Sequence, residues 1–144
     1  MQRDPFGNLM DWGDVLNSLE YLADSGRLDE CQSGLVRILR FKGNWRLREE
    51  VLKRVEDIRT PTKALLSELL SILANDNIYY DARVMAGDAL IGLLKKANAA
   101  DTDEVTSGVK AVVEKLMDTI QPPFFGEALS RLQAGITVPC TLEN

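Results

Sequence analysis

Histidine is absent from all 144 residues. That removes the side chain that most often serves as a general base near neutral pH and as a ligand to transition metals, so triads and the common zinc sites are excluded. Cysteine is nearly absent as well. Cys31 and Cys140 stand far apart in no CxxC pairing, which is no disulfide framework. Cys31 follows Asp29 and Glu30, with Arg27 four residues before it, so no clear electropositive setting activates its thiol. No glycine-rich phosphate loop or nucleophile elbow occurs. The longest apolar stretch, Ala89 to Leu94, is interrupted by Gly92 and falls far short of the roughly 18 residues of a membrane span. The amino-terminal MQRDPFGNLMDWGD lacks the apolar run and small-residue cleavage site of a secretory signal. Asp76, Asp81 and Asp88 lack the ligand order of a calcium loop, and Asp81 and Asp88 are about 10 Å apart along a helix axis. These absences set the expectations: no catalytic residue, no cofactor, no metal, no membrane contact and a cytoplasmic location.

What is present is the composition of one globular domain, with 45% hydrophobic and 27% charged residues. Apolar residues recur at helical spacing, and no period-two alternation persists beyond the brief ITV near the end, so the fold class is all-α. Residues 1–9 carry Pro5, Gly7 and Asn8 and predict an irregular lead-in. Residues 10–134 predict a single helical domain, and 135–144 a C-terminal tail. Within the domain the spacing predicts helices from Met10 to Ser25-Gly26, Leu28 to Phe41, and 45–58 behind an Asn44 cap. A fourth helix starts at Pro61 behind Thr60 and runs to about 74, its Leu65, Leu66, Leu69, Leu70, Ile72 and Leu73 marking it as the most buried. The fifth spans about 78–97. The sixth, 102–120, opens on an Asp101 to Glu104 capping box, and a short last helix, 124–133, ends near Gly135.

The chain also repeats itself. Leu35, Ile38 and Leu39 align with Leu69, Ile72 and Leu73 at an offset of 34. After a one-residue adjustment in the turn, Leu47-Arg48, Val51 and Val55 align with Ala82-Arg83, Ala86 and Leu90 at an offset of 35. A fainter echo joins SGLVRIL at 33–39 with SGVKAVV at 107–113. Two consecutive helical hairpins therefore share one plan. ARVMAGDAL at 82–90 resembles the second-helix signature of HEAT-type repeats, approximately VRxxAAxAL, through Arg83, Ala86, Ala89 and Leu90. LREEVLKRV at 47–55 is a degenerate copy that keeps Arg48. The resemblance covers residues 28–98 well and 101–133 weakly. It implies stacked antiparallel hairpins of six to seven helices in a short right-handed α-solenoid of HEAT or armadillo type, and a noncatalytic scaffold that binds another protein.

Charge is segregated along the chain. Residues 1–36 hold two arginines and seven acids, residues 37–63 nine bases and four acids, and residues 64–144 six bases and eleven acids, for a net charge of -5. The basic island comprises Arg37, Arg40, Lys42, Arg46, Arg48, Lys53, Arg54, Arg59 and Lys63. As a solvated helix face it is supported by Glu49 and Glu50, each four residues before Lys53 and Arg54. As a binding surface it suits an acidic protein segment, the alternative being nucleic-acid phosphates gripped by the basic hairpin at 37–63. Trp45, Tyr79 and Tyr80 stand at corresponding helix starts, where aromatics fill hairpin turns or anchor partners. The candidate partner-binding residues are thus Arg37, Arg40, Lys42, Trp45, Arg46, Tyr79 and Tyr80. Phe124-Phe125 is expected to cover the last hairpin, and self-association is a further expectation because the ends of a repeat stack need covering.

Overall fold

The computed structural model describes residues 3–97 and 99–142. It has seven α-helices and no strand among the described residues. They are α1 (Trp12–Asp24), α2 (Gln32–Arg40), α3 (Trp45–Arg54), α4 (Lys63–Ala74), α5 (Tyr80–Leu94), α6 (Ala99–Met117) and α7 (Pro123–Leu142). A 3-10 turn, Leu28–Cys31, leads into α2, and another, Val55–Asp57, follows α3. The helices pack in two rows. α2 contacts α4 and α4 contacts α6, while α1, α3, α5 and α7 follow one another in the second row. The hairpins α2-α3, α4-α5 and α6-α7 join the rows. No helix among the described residues is long and apolar enough to cross a membrane.

The two aligned hairpins share hydrogen bonds as well as spacing. α2 ends with the Phe41 N–H donating to Ile38 O at 3.0 Å, and α4 with the Asn75 N–H donating to Ile72 O at 3.3 Å. Across each hairpin an arginine of the second helix caps the first: Arg48 Nε donates to Leu39 O at 3.2 Å, and Arg83 Nε to Leu73 O at 2.9 Å. Both arginines are buried. A helix leaves its last carbonyls without intrahelical donors, and a buried guanidinium supplies one while satisfying itself.

Several expected boundaries move, each for a tertiary reason. Asn44 caps α3 as expected, its side chain accepting from the Arg46 N–H. The fourth helix, however, is capped by Thr62 rather than Thr60. The preceding hairpin holds the connection extended: Asp29 accepts from the Arg59 and Thr60 N–H groups, and Gln32 Oε1 from the Thr62 N–H at 2.7 Å. α5 begins at Tyr80. α6 begins at Ala99, which places Asp101 inside the helix rather than at a cap, and Glu104 pairs instead with Lys63 of α4. α5, not α4, presents the longer buried face, because Ala82, Ala86 and Ala89 let its neighbours approach. α7 does not stop near Gly135 but runs on through residues expected to form a tail. Gly135 is there for closeness: a Cβ added to it would lie 2.9 Å from Ile91 of α5. Residues 143 and 144 of the expected tail, and residues 1 and 2 of the lead-in, lie outside the described residues, as do the side chains of Asp101 and Cys140.

The lead-in has no helix before Trp12, yet it is part of the core. Phe6 and Leu9 are buried, and a Cβ on Gly34 of α2 would meet the Phe6 ring at 2.7 Å, so only glycine admits that ring. Arg37 grips the segment, with Nε 2.7 Å from Asp4 Oδ2 and Nη2 2.8 Å from Gly7 O. The Arg37 hydrogen bond holds the Asp4 carboxyl below its usual range, against an opposing effect of burial. A lowered folded pKa means that the pairing contributes its full stability above the unfolded carboxylate value and loses it as pH falls through the lowered one. Acidification is therefore expected to raise amide exchange over residues 3–9 before the helices respond. Asp4→Asn should remove that pH dependence, and an unchanged profile in the variant would assign the effect to another group.

Candidate functional site

The structure separates the seven candidate residues. Arg37 is turned to the lead-in by Asp4. Arg40 reaches α4, with Nε 2.7 Å from Glu68 Oε1. Lys42 and Arg46 are exposed, and neither has a carboxylate within ion-pair distance among the described residues. The rest of the basic island is largely neutralised: Arg59 meets Asp29, Lys63 meets Glu104, and Glu50 takes both Lys53 and Arg54. The Glu49 to Lys53 pair expected from their spacing does not form. Glu49 instead accepts a 2.6 Å hydrogen bond from Tyr79 Oη of α5.

Trp45 and Tyr79 do come together, while the adjacent Tyr80 turns to α7. Trp45 and Tyr79 meet edge-to-face at 6.2 Å between centroids. Tyr80 meets Phe124 at 5.9 Å, edge-to-face, and Phe125 at 5.0 Å. The result is a band of rings at the starts of α3, α5 and α7, with Trp45 54%, Tyr79 38%, Tyr80 37% and Phe124 47% exposed. Packing against one another fixes the rings without hiding them. The Arg46 guanidinium lies 5.6 Å from the Trp45 ring centroid, a cation-π arrangement. Partial burial, then the Glu49 hydrogen bond, push the Tyr79 hydroxyl well above its ordinary pKa, so it stays a neutral donor. The Phe124-Phe125 pair divides its work: Phe125 is fully buried beneath Arg83 and Tyr80, and Phe124 joins the exposed band.

Two clefts flank the α2-α3 turn. One of about 420 Å³ lies between α1 and α3, with Leu16, Trp45, Arg46 and Glu49 on its walls. The other, of about 320 Å³, lies between that turn and the α4-α5 turn and is lined by Arg40, Lys42, Arg48, Glu68, Ser71 and Asn75 among others. Arg48 and Phe124 were not among the candidates. The repeat alignment carried the signal for Arg48, which occupies the position of Arg83. No group of three or more possible metal-ligating residues occurs among the described residues. Asp76 and Asp88 are engaged by Arg83 and Arg131. Cys31 is buried, and desolvation raises its thiol pKa, the opposite of an activated nucleophile. No family model, no curated protein and no solved structure matches the chain.

Proposed function

We propose that the chain is a noncatalytic protein-recognition module, a short right-handed HEAT-like stack of helical hairpins whose partner docks on the aromatic band. The carrying observation is the row of exposed rings at the starts of α3, α5 and α7, where Trp45 meets Tyr79 and the adjacent Tyr80 meets Phe124. Aromatic rings held in place by their neighbours lose little side-chain entropy on binding, which is why such residues dominate binding energy at interfaces. Lys42 and Arg46, beside Trp45 and without acid partners, favour a segment that carries carboxylates. The matched Arg48 and Arg83 bonds support the repeat reading, because they recur at the aligned positions. With most of the basic island in ion pairs, few cations remain for a phosphate backbone, whose binding scales with the number of phosphates neutralised.

The test is affinity capture with wild-type protein and with the triple variant Trp45→Ser, Lys42→Glu, Arg46→Glu, each with and without nuclease. All three side chains are exposed, so helicity should be unchanged. A protein retained by wild type in both nuclease arms and lost from the variant is expected. Equal retention by the two would remove the band as the site, and retention that collapses with nuclease would make the chain a nucleic-acid binder.

A further inference from the structure

The two aligned hairpins differ in what surrounds the buried arginine. In the second, the buried Arg83 is fully provided for. Its Nε donates to Leu73 O at 2.9 Å, its Nη2 lies 3.4 Å from Asp76 Oδ1, and its guanidinium stands 4.5 Å from the Phe125 ring centroid and 5.3 Å from that of Tyr80. In the first, Arg48 is 9% exposed and makes the matching bond to Leu39 O. The residue two beyond the end of α2, aligned with Asp76, is Lys42. A cation thus replaces the acid. Among the described residues Arg48 has neither a carboxylate within ion-pair distance nor a ring beneath it.

Arg48 lines the cleft of about 320 Å³ together with Arg40, Lys42 and Glu68. Glu68 is the acid there, and its Oε1 takes Arg40 Nε at 2.7 Å. That leaves the charges of Arg48 and Lys42 uncompensated in the same cleft. Ser71 adds a hydroxyl, and Asn75, whose Oδ1 already accepts from the Asn77 N–H, has its amide nitrogen left to donate. A guanidinium nine-tenths buried without an anion is a costly arrangement, and a carboxylate brought to it gains charge-assisted hydrogen bonds on a donor already fixed in place.

We infer that this cleft is a carboxylate subsite, in which an Asp or Glu side chain of a partner segment takes the place beside Arg48 that Asp76 fills beside Arg83 in the next hairpin. The inference rests on the protein-recognition reading and specifies the partner's chemistry: an acidic residue in the cleft, adjacent to whatever covers Trp45.

The experiment follows the arginine side-chain N–H resonances and the backbone amides of residues 39–48 by NMR. The titrants are acetyl-tetraglutamate amide, acetyl-tetraglutamine amide and inorganic phosphate, all at matched ionic strength. The glutamate peptide should move the Arg48 Nε–H and the Lys42 amide saturably, and the glutamine peptide should not. Lys42→Asp, which builds into the first hairpin the acid of the second, should weaken the glutamate response by about tenfold or more, the equivalent of one charge-assisted contact. An unresponsive Arg48, or equal responses in wild type and Lys42→Asp, overturns the subsite. Phosphate moving the same resonances at lower concentration than the peptide overturns the assignment to a carboxylate side chain. The readout is at Arg48 and needs no partner, so its failure would leave capture through Trp45 standing. Failed capture would likewise leave a positive Arg48 result standing.

Discussion

Replacing Phe125 with alanine is expected to cost about 4 kcal/mol, the upper part of the range for truncating a buried aromatic. The ring is fully buried at the junction of α7 and α5, packed on Tyr80 with the Arg83 guanidinium over its face. Its removal opens a cavity and also strips Arg83 of the surface it stands on. Because α6 and α7 pack mainly on α4, α5 and each other, the loss should be local. Amide exchange should rise across α6 and α7 while α2 and α3 keep their protection. A loss of under about 1 kcal/mol, or exchange raised equally everywhere, would mean that the last hairpin is not held by this ring.

Arg83→Met is expected to cost about 3 kcal/mol, and Arg48→Met only about 1 kcal/mol, although both arginines cap the preceding helix through the same bond. Methionine keeps much of the apolar stem, so what disappears is the guanidinium. At residue 83 that removes the donor to Leu73 O, the contact with Asp76 and the cation over two rings. At residue 48 it removes the donor to Leu39 O together with a buried charge that lacks an acid, and relief of the second loss offsets the first. Chemical denaturation of the two variants gives the comparison directly. Equal losses would show that the rings and Asp76 add nothing to the carbonyl bond, and would remove the asymmetry between the hairpins.

The hairpin plan was legible because it is local. Helical spacing and the Asn44 cap concern residues within a turn of one another, the offsets of 34 and 35 compare patterns internal to each hairpin, and each reappears in the structure as an element or a matched bond. Misread features belong to side chains that find partners one hairpin away. Nothing near Thr60 reveals that Asp29 and Gln32 will hold it extended, and nothing near Glu49 reveals Tyr79. Gly135 has the appearance of a stop until Ile91 is seen against it. The site divides in the same way. Trp45, Tyr79 and Tyr80 could be grouped because they occupy matching places in the two aligned hairpins. Arg37 could not be set aside without knowing that Asp4 folds back on it. Arg48 stands in the basic island but not among the partner-binding candidates because an arginine on an amphipathic helix ordinarily faces water, and only the end of the neighbouring helix explains its burial.

The spacing of the cross-hairpin ties has a consequence for how the chain is made. Arg40 and Glu68 are 28 residues apart, Glu49 and Tyr79 30, Lys63 and Glu104 41, and Asp88 and Arg131 43. Each partner is the next hairpin to be synthesised, so contact order stays low and assembly can proceed in the order of translation. At about 5–20 residues per second, a completed hairpin waits a few seconds for the one that covers it. During that interval its inner face is bare. The longest exposure falls on α5, whose face bearing Arg83, Gly87 and Ile91 is not closed until α7 has left the ribosome, and that interval is when a nascent chain of this kind most needs a chaperone.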